Sequence, residues 1–235
     1  MEKQKIMVIA EAGINHGGSL DRAMKMVEVA ADAGADAVKF QSFTADRLGY
    51  DEKMTAFLKG VQLSRDDHEK LKLKCDRLKI EFMSTPFDAE WCDFLVQLGV
   101  KRLKVSSGKV KDFAFCTHVQ GKGLPVIMSN GMCTASELSN VTTPRTTVLY
   151  CVSKYPTPIH DVDFRRMLAL GSNYYDYGYS DHTKSIEPCI LAAAMGAKVI
   201  EKHFTMDRRL TGPDQVCSAL PAELCEMVKE IRALA

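Results

Sequence analysis

Eight times along this chain a short run rich in apolar and β-branched residues gives way to a longer stretch of helical periodicity, and this repetition restricts the possible folds more than any other feature. The runs occupy residues 6–10, 37–41, 81–84, 102–106, 125–129, 147–152, 174–179 and 198–203. Helical stretches include 20–33, 66–78, 89–98 and 185–195, and a last helix is predicted over 221–234. Several units close on glycine (Gly34, Gly99, Gly121, Gly171, Gly196), the residue that most easily takes the left-handed turn after a helix. Strands that alternate with helices pair in parallel, and their right-handed crossovers put the helices outside. Eight such units make a closed α/β structure, a (β/α)8 TIM barrel, and the 235 residues suffice for one barrel domain spanning 1–235. The weak unit lies between runs five and six. There 134–146 contains Pro144 and one short amphipathic piece, so helix five is predicted to be reduced or absent. An open doubly wound sheet is the alternative, but Gly13, Gly17 and Gly18 lack the Gly-x-Gly-x-x-Gly spacing of a nucleotide-binding turn.

Charge and cysteine usage exclude several classes of partner. Basic residues number 31 and acidic residues 30, interspersed, so no basic surface awaits nucleic acid or an anionic membrane. No apolar run approaches a membrane span, and 6–10 is too short for the apolar core of a signal peptide. The eight cysteines include no Cys-x-x-Cys pair and mostly fall within apolar runs, which predicts reduced core thiols and a cytoplasmic protein.

In a parallel barrel the polar residues at the carboxyl ends of the strands share one mouth. Those positions hold Glu11; Lys39 and Gln41; Ser84 and Thr85; Lys104, Ser106 and Ser107; Ser129 and Asn130; Ser153 and Tyr155; Ser180, Asp181 and His182; and Glu201 and His203, with Asp214 in the loop that follows. His182 and His203 end consecutive strands, roughly 4.8 Å apart in a parallel ladder. Two imidazoles so placed can share one divalent ion with other coordination positions left open, as catalytic metal sites require. Two lysines, several serines and the glycine turns at 107–108 and 129–131 offer fixed cations, hydroxyls and exposed N–H groups. Such groups hold a phosphate, so a phosphorylated substrate is expected.

Seven short motifs also appear in one order: Glu11-Ala-Gly-Ile-Asn-His-Gly-Gly, Val38-Lys-Phe-Gln, Lys104-Val-Ser-Ser-Gly, Tyr155-Pro-Thr-Pro, Gly178-Tyr-Ser-Asp-His-Thr, Glu201-Lys-His-Phe-Thr and Gly212-Pro-Asp. Together they resemble the sialic acid synthase (N-acetylneuraminate synthase) family, from near residue 6 to the C-terminus. The resemblance implies condensation of phosphoenolpyruvate with the open-chain aldehyde of an N-acylated sugar such as N-acetylmannosamine, giving a nonulosonic acid and phosphate. It implies that Lys39, Lys104, Ser107, Ser129 and Ser180 grip phosphoenolpyruvate, with Gln41 and Ser153 in the same substrate site. Tyr155 and Asp214 would meet the sugar. Glu11, Glu201 and Asp214 form the catalytic set: Glu11 would stabilise positive charge at C2 and handle the proton of the attacking water, and Glu201 would bond a water or a sugar hydroxyl. His182 and His203 would hold the metal, usually manganese, with magnesium or cobalt as alternatives.

The resemblance also implies features that this sequence changes. Most relatives carry a small antifreeze-like domain beyond the barrel, which reaches into a partner's site with an arginine; the sequence ends at Ala235 without it. A more open sugar pocket is therefore expected, unless Arg208, Arg209 or another chain supplies that cation, and a homodimer would form through a helix face. Lys109 stands where relatives commonly have an acid and Ser153 where an asparagine is common, so Lys109 is expected to favour an acidic or phosphorylated acceptor.

Other roles compete. Glu11 can be a plain salt-bridge partner, and Lys39 or Lys104 an imine-forming lysine of an aldolase. The chain can also be a binding protein derived from such an enzyme. Asp181 is read as orienting its loop, Met24, Met26 and Met195 as core. His68, His118 and His160 are assigned solvated or capping roles, and His16 stays open.

Overall fold

The computed structural model describes residues 5–172 and 176–234. Its strands are β1 (Met7–Gly13), β2 (Ala37–Ser42), β3 (Glu81–Pro86), β4 (Leu103–Val105), β5 (Val126–Ser129), β6 (Thr146–Tyr150), β7 (Tyr177–Asp181) and β8 (Val199–His203). All eight lie on the predicted runs, although the seventh was expected from Tyr174, which lies outside the described residues. The ladders are parallel in the order β3-β2-β1-β8-β7-β6-β5-β4, which bends the sheet into a TIM barrel with one seam. At that seam β3 and β4 share no ladder among the described residues, and Arg102 of the β4 approach clasps Glu81 of β3 through two bonds of 2.7 and 3.1 Å.

The helices are α1 (Leu20–Asp32), α2 (Glu52–Val61), α3 (Arg65–Leu78), α4 (Ala89–Gln97), α5 (Phe113–Gln120), α6 (Ala135–Ser139), α7 (Phe164–Gly171), α8 (Glu187–Ala194) and α9 (Pro221–Leu234). As expected, the helix between β5 and β6 is reduced: α6 starts on a Thr134/Glu137 capping box and lasts five residues. Pro144, which cannot donate to a helical bond, then directs the chain into β6. Helix α2 is not among the predicted helices, yet Met54, Phe57, Leu58 and Val61 have helical spacing. Leu58 and Val61 pack with Ile14, Phe43 and Ala45 beside the barrel mouth. No helix among the described residues is long and apolar enough to cross a membrane.

Alternation along the strands places the site. Ile9, Ala37, Met83, Ile127, Leu149 and Val199 fill the barrel interior as a dry floor. Side chains two residues apart share a face, so the next layer up is Glu11, Lys39, Thr85, Ser129, Cys151 and Glu201. Outward-facing residues such as Val8, Val38, Phe40, Phe82 and Val105 join the helices in the outer core. Met26 is fully buried there and Met24 and Met195 pack against it, as read.

The same alternation corrects one expectation, and the packing of helix α3 another. Ser84, expected in the mouth, faces outward and its Oγ lies 2.6 Å from Ser42 Oγ, which bonds His68 Nε2 at 2.8 Å. His68, expected to be solvated or capping, is fully buried between that serine pair and Trp91, with Nδ1 donating to Ser64 O. His118 bonds Asp93 near the surface, and His160 is exposed as read.

His16 is also a buried residue of the fold. Its Nδ1 accepts the Gly18 N–H at 3.1 Å, and burial pushes its pKa down to about 4. Because the folded value lies below the unfolded one, this stabilisation is complete above about pH 6.5 and is lost as pH falls toward about 4. Urea unfolding is expected to lose on the order of 3 kcal/mol across that window through this residue. A His16→Asn variant should show a correspondingly flatter pH dependence, and an unchanged slope would refute the assignment.

Candidate active site

The mouth encloses a cavity of about 200 Å³ above the apolar floor. Of the predicted site residues, Glu11, Lys39, Gln41, Lys104, Ser107, Ser129, Ser153, Tyr155, Ser180, Glu201, His182 and His203 all line it. Asp214 does not; it lies behind His203, with its carboxylate 3.7 Å from Nδ1. Phe87, Met132 and Cys151 also line the cavity and were not assigned to the site. Cys151, read as core, enters it because it lies two residues beyond Leu149 of the floor, a signal that alternation alone could have supplied.

Four charged side chains crowd the polar layer. Lys39 Nζ lies 2.7 Å from Glu11 Oε2 and 3.5 Å from Glu201 Oε2, and donates to Thr85 Oγ1 at 2.9 Å. Lys104 Nζ donates to Ser129 Oγ at 2.7 Å and lies 3.8 Å from Glu201 Oε1, which accepts from Ser180 Oγ at 2.8 Å. Glu11 Oε2 is held by Lys39 as an ion pair, whereas Glu201 Oε2 is buried with no hydrogen bond. A buried network with an open acceptor is poised for a ligand or water to complete it.

The two carboxyl groups differ sharply in acidity. Burial pushes the Glu11 carboxyl up to about 7, against the pull of Lys39. Burial acts on Glu201 in the same sense, but Lys104 and Lys39 outweigh it and hold Glu201 ionised. Two carboxyls with values pushed apart are how one site keeps a proton-transfer group beside a fixed anion. Lys39 stays charged because Glu11 and Glu201 outweigh its desolvation, whereas burial lowers the pKa of Lys104.

His182 directly follows β7 and His203 ends β8, with ring centres 5.5 Å apart. Burial lowers the pKa of both, so both are neutral at neutral pH. His182 Nδ1 donates to Val152 O at 2.7 Å, which fixes the tautomer and leaves Nε2 as the acceptor, here facing Tyr155 OH at 3.0 Å. His203 Nδ1 is buried with no hydrogen-bond partner. Neutral imidazoles, one fixed by a backbone carbonyl and one with a free buried nitrogen, fit a divalent ion that takes nitrogen ligands. Among the described residues, three close His, Cys or carboxylate donors come together only at Cys92, Asp93 and His118, away from the mouth. The mouth thus offers an open pair rather than a closed structural site.

Backbone groups support the serines of the cavity. The Gly131 N–H donates to Ser107 Oγ at 3.0 Å, and a side chain at 131 would meet Ser153 Oγ at 2.5 Å and Cys151 Sγ at 2.7 Å. Lys109 does not line the cavity: it pairs with Asp112 at 3.0 Å over the Phe115 ring. Arg208 and Arg209 are engaged by Glu223 and Asp207, so neither is a free cation for the sugar pocket.

Removing Lys104 tests the anion reading. With Ser129 the group it bonds directly, Lys104→Ala is expected to raise the KM for an anionic substrate by roughly 10- to 100-fold, the loss of one charge-assisted contact, with a smaller effect on kcat. An unchanged KM in steady-state assays would place the anion elsewhere.

Comparison with known proteins gives a consistent picture. Residues 26–235 match the NeuB family. The chain is 42% identical to N,N'-diacetyllegionaminic acid synthase of Legionella pneumophila, over 96% of this chain and 71% of that protein. It is 31% identical to human N-acetylneuraminate-9-phosphate synthase, over 96% and 69% of the two chains. The crystal structure of N-acetylneuraminic acid (sialic acid) synthetase from Leptospira borgpetersenii, in complex with citrate, superposes with a TM-score of 0.94 at 36% identity, covering 98% of this chain and 84% of that one.

Proposed function

From the premise that this chain belongs to the NeuB family, we propose that it condenses phosphoenolpyruvate with the open-chain form of a neutral, N-acetylmannosamine-like amino sugar, with help from a divalent metal. Its synthase relatives make it a phosphoenolpyruvate-dependent sugar-acid synthase. The observation that carries the proposal is the pairing of two buried lysines with two buried carboxylates beside two neutral histidines in one cavity.

Lys39 and Lys104 supply the cations for the phosphate and carboxylate, while Ser107, Ser129 and Ser180 offer hydroxyls at its edges. Held in this way, C3 of phosphoenolpyruvate attacks the acceptor aldehyde carbon, the aldehyde oxygen takes up a proton, and positive charge develops at C2. Glu11, with its carboxyl near neutrality, accepts a proton from the water that adds at C2. The C2–O bond to phosphate then breaks, the new C2 hydroxyl loses its proton, and a 2-keto acid and inorganic phosphate leave. Glu201, kept ionised by both lysines, stabilises the cationic centre. His182 and His203 would hold the metal, most readily manganese, and a bound ion would supply Lewis-acid polarisation of the aldehyde. Tyr155 and Gln41 flank the open side, where the sugar chain extends.

Phosphate release from phosphoenolpyruvate, measured with manganese and with either N-acetylmannosamine or its 6-phosphate, tests this reading. Acceptor-dependent release that a chelator abolishes is expected, faster with the unphosphorylated sugar because Lys109, Arg208 and Arg209 are already paired. No release with either sugar, together with borohydride trapping of pyruvate on the protein, would replace it with the imine-forming alternative.

A further inference from the structure

Lys202 stands between Glu201 and His203 on β8, so strand alternation turns it away from the mouth. It is completely buried and pairs with Asp181 of β7 at 2.5 Å. The two are direct neighbours across the β7–β8 ladder, immediately behind the two strand ends that carry the imidazoles. Asp181 Oδ1 accepts from Tyr179 OH at 2.7 Å and from the Thr183 N–H at 3.1 Å, and Oδ2 accepts from the Thr183 hydroxyl at 3.0 Å. Lys202 in turn donates to Thr183 O at 2.6 Å. Thr183, the residue after His182, is therefore held at its N–H, its hydroxyl and its carbonyl. The His182 carbonyl accepts from the Thr157 N–H at 2.8 Å, so the backbone on which this ring pivots is fixed on both sides.

Stability alone does not account for this pair. Desolvating two charges cancels most of their attraction, and apolar residues of similar size are often as stable or more so. What an apolar pair could not do is hold three atoms of Thr183 in place.

We infer that Lys202 and Asp181 are positioning residues that set the placement of the His182 ring relative to His203 from behind the strands. The inference rests on the reading of that histidine pair as metal ligands. Lys202→Met leaves Asp181 as an uncompensated buried charge and can unfold the chain, so a second variant, Asp181→Asn with Lys202→Met, removes both charges at similar volume. Each variant is measured by thermal unfolding, by ¹⁵N–¹H correlation spectra of the histidine rings, and by manganese binding from the signal of the free ion in electron paramagnetic resonance. In the folded double variant, the single Nδ1–H tautomer of His182 is expected to give way to a mixture, and manganese affinity to fall about 10- to 100-fold, as for other partners that orient metal ligands. A wild-type ring spectrum with wild-type affinity overturns the inference, and so does unfolding of both variants, which would make the pair a stability element. If the unaltered protein binds manganese no better than His203→Ala, the ligand reading fails instead. The ring spectrum then decides positioning alone: an altered His182 tautomer upholds it and an unaltered one overturns it.

Discussion

A His203→Ala variant is expected to lose metal-dependent condensation by about a thousandfold or more while keeping its fold. Among the described residues only two imidazoles face the cavity as ligand candidates, so deleting one leaves a site too poor to hold an ion, and several kcal/mol of charge stabilisation go with it. The fold should tolerate the change because His203 Nδ1 has no hydrogen-bond partner to lose. The cost is that of a small cavity, about 2 kcal/mol. Manganese binding, phosphate release and thermal unfolding measured on the same preparation separate these effects. Full activity in a variant that no longer binds manganese would sink the metal assignment.

Glu11→Gln is expected to lower kcat by about 10²- to 10⁴-fold, the range typical of a lost proton-transfer group, and to change the KM for phosphoenolpyruvate by less than about tenfold. The amide keeps the shape of the side chain, and Lys39 retains Thr85 at 2.9 Å and Glu201 at 3.5 Å, so the anion site survives. The competing role of Glu11 as a plain salt-bridge partner predicts the opposite pattern. In that case Glu11→Gln would lower the unfolding temperature and leave kcat within a few-fold of the starting protein. Steady-state phosphate release with thermal unfolding distinguishes the two.

The eight strands and the reduced helix between β5 and β6 were legible because both depend on local rules. A parallel strand buried on two faces reads as an apolar run, and a proline stops a helix wherever it occurs. The mouth residues were legible for a related reason: a polar side chain ending an apolar strand has few places to go in a barrel. What could not be read locally was which of two adjacent polar residues faces inward. Ser84 stood beside Thr85 in sequence as an equal candidate, and the pleat sent it outward; Asp181, read as orienting its loop, likewise faces away from the mouth beside the inward Ser180.

The sequence by itself determined the fold class, the strand ends and the chemical types gathered at one mouth, because periodicity and strand termini are properties of neighbouring residues. Only the tertiary structure decided that Asp214 stands behind His203, that His68 is buried, that Arg208 and Arg209 are already paired, and that the pKa values of Glu11 and Glu201 shift in opposite directions. Those outcomes depend on burial and on charges brought together from strands distant in sequence, and the energies of desolvation and Coulomb attraction exist only once the barrel has closed around them.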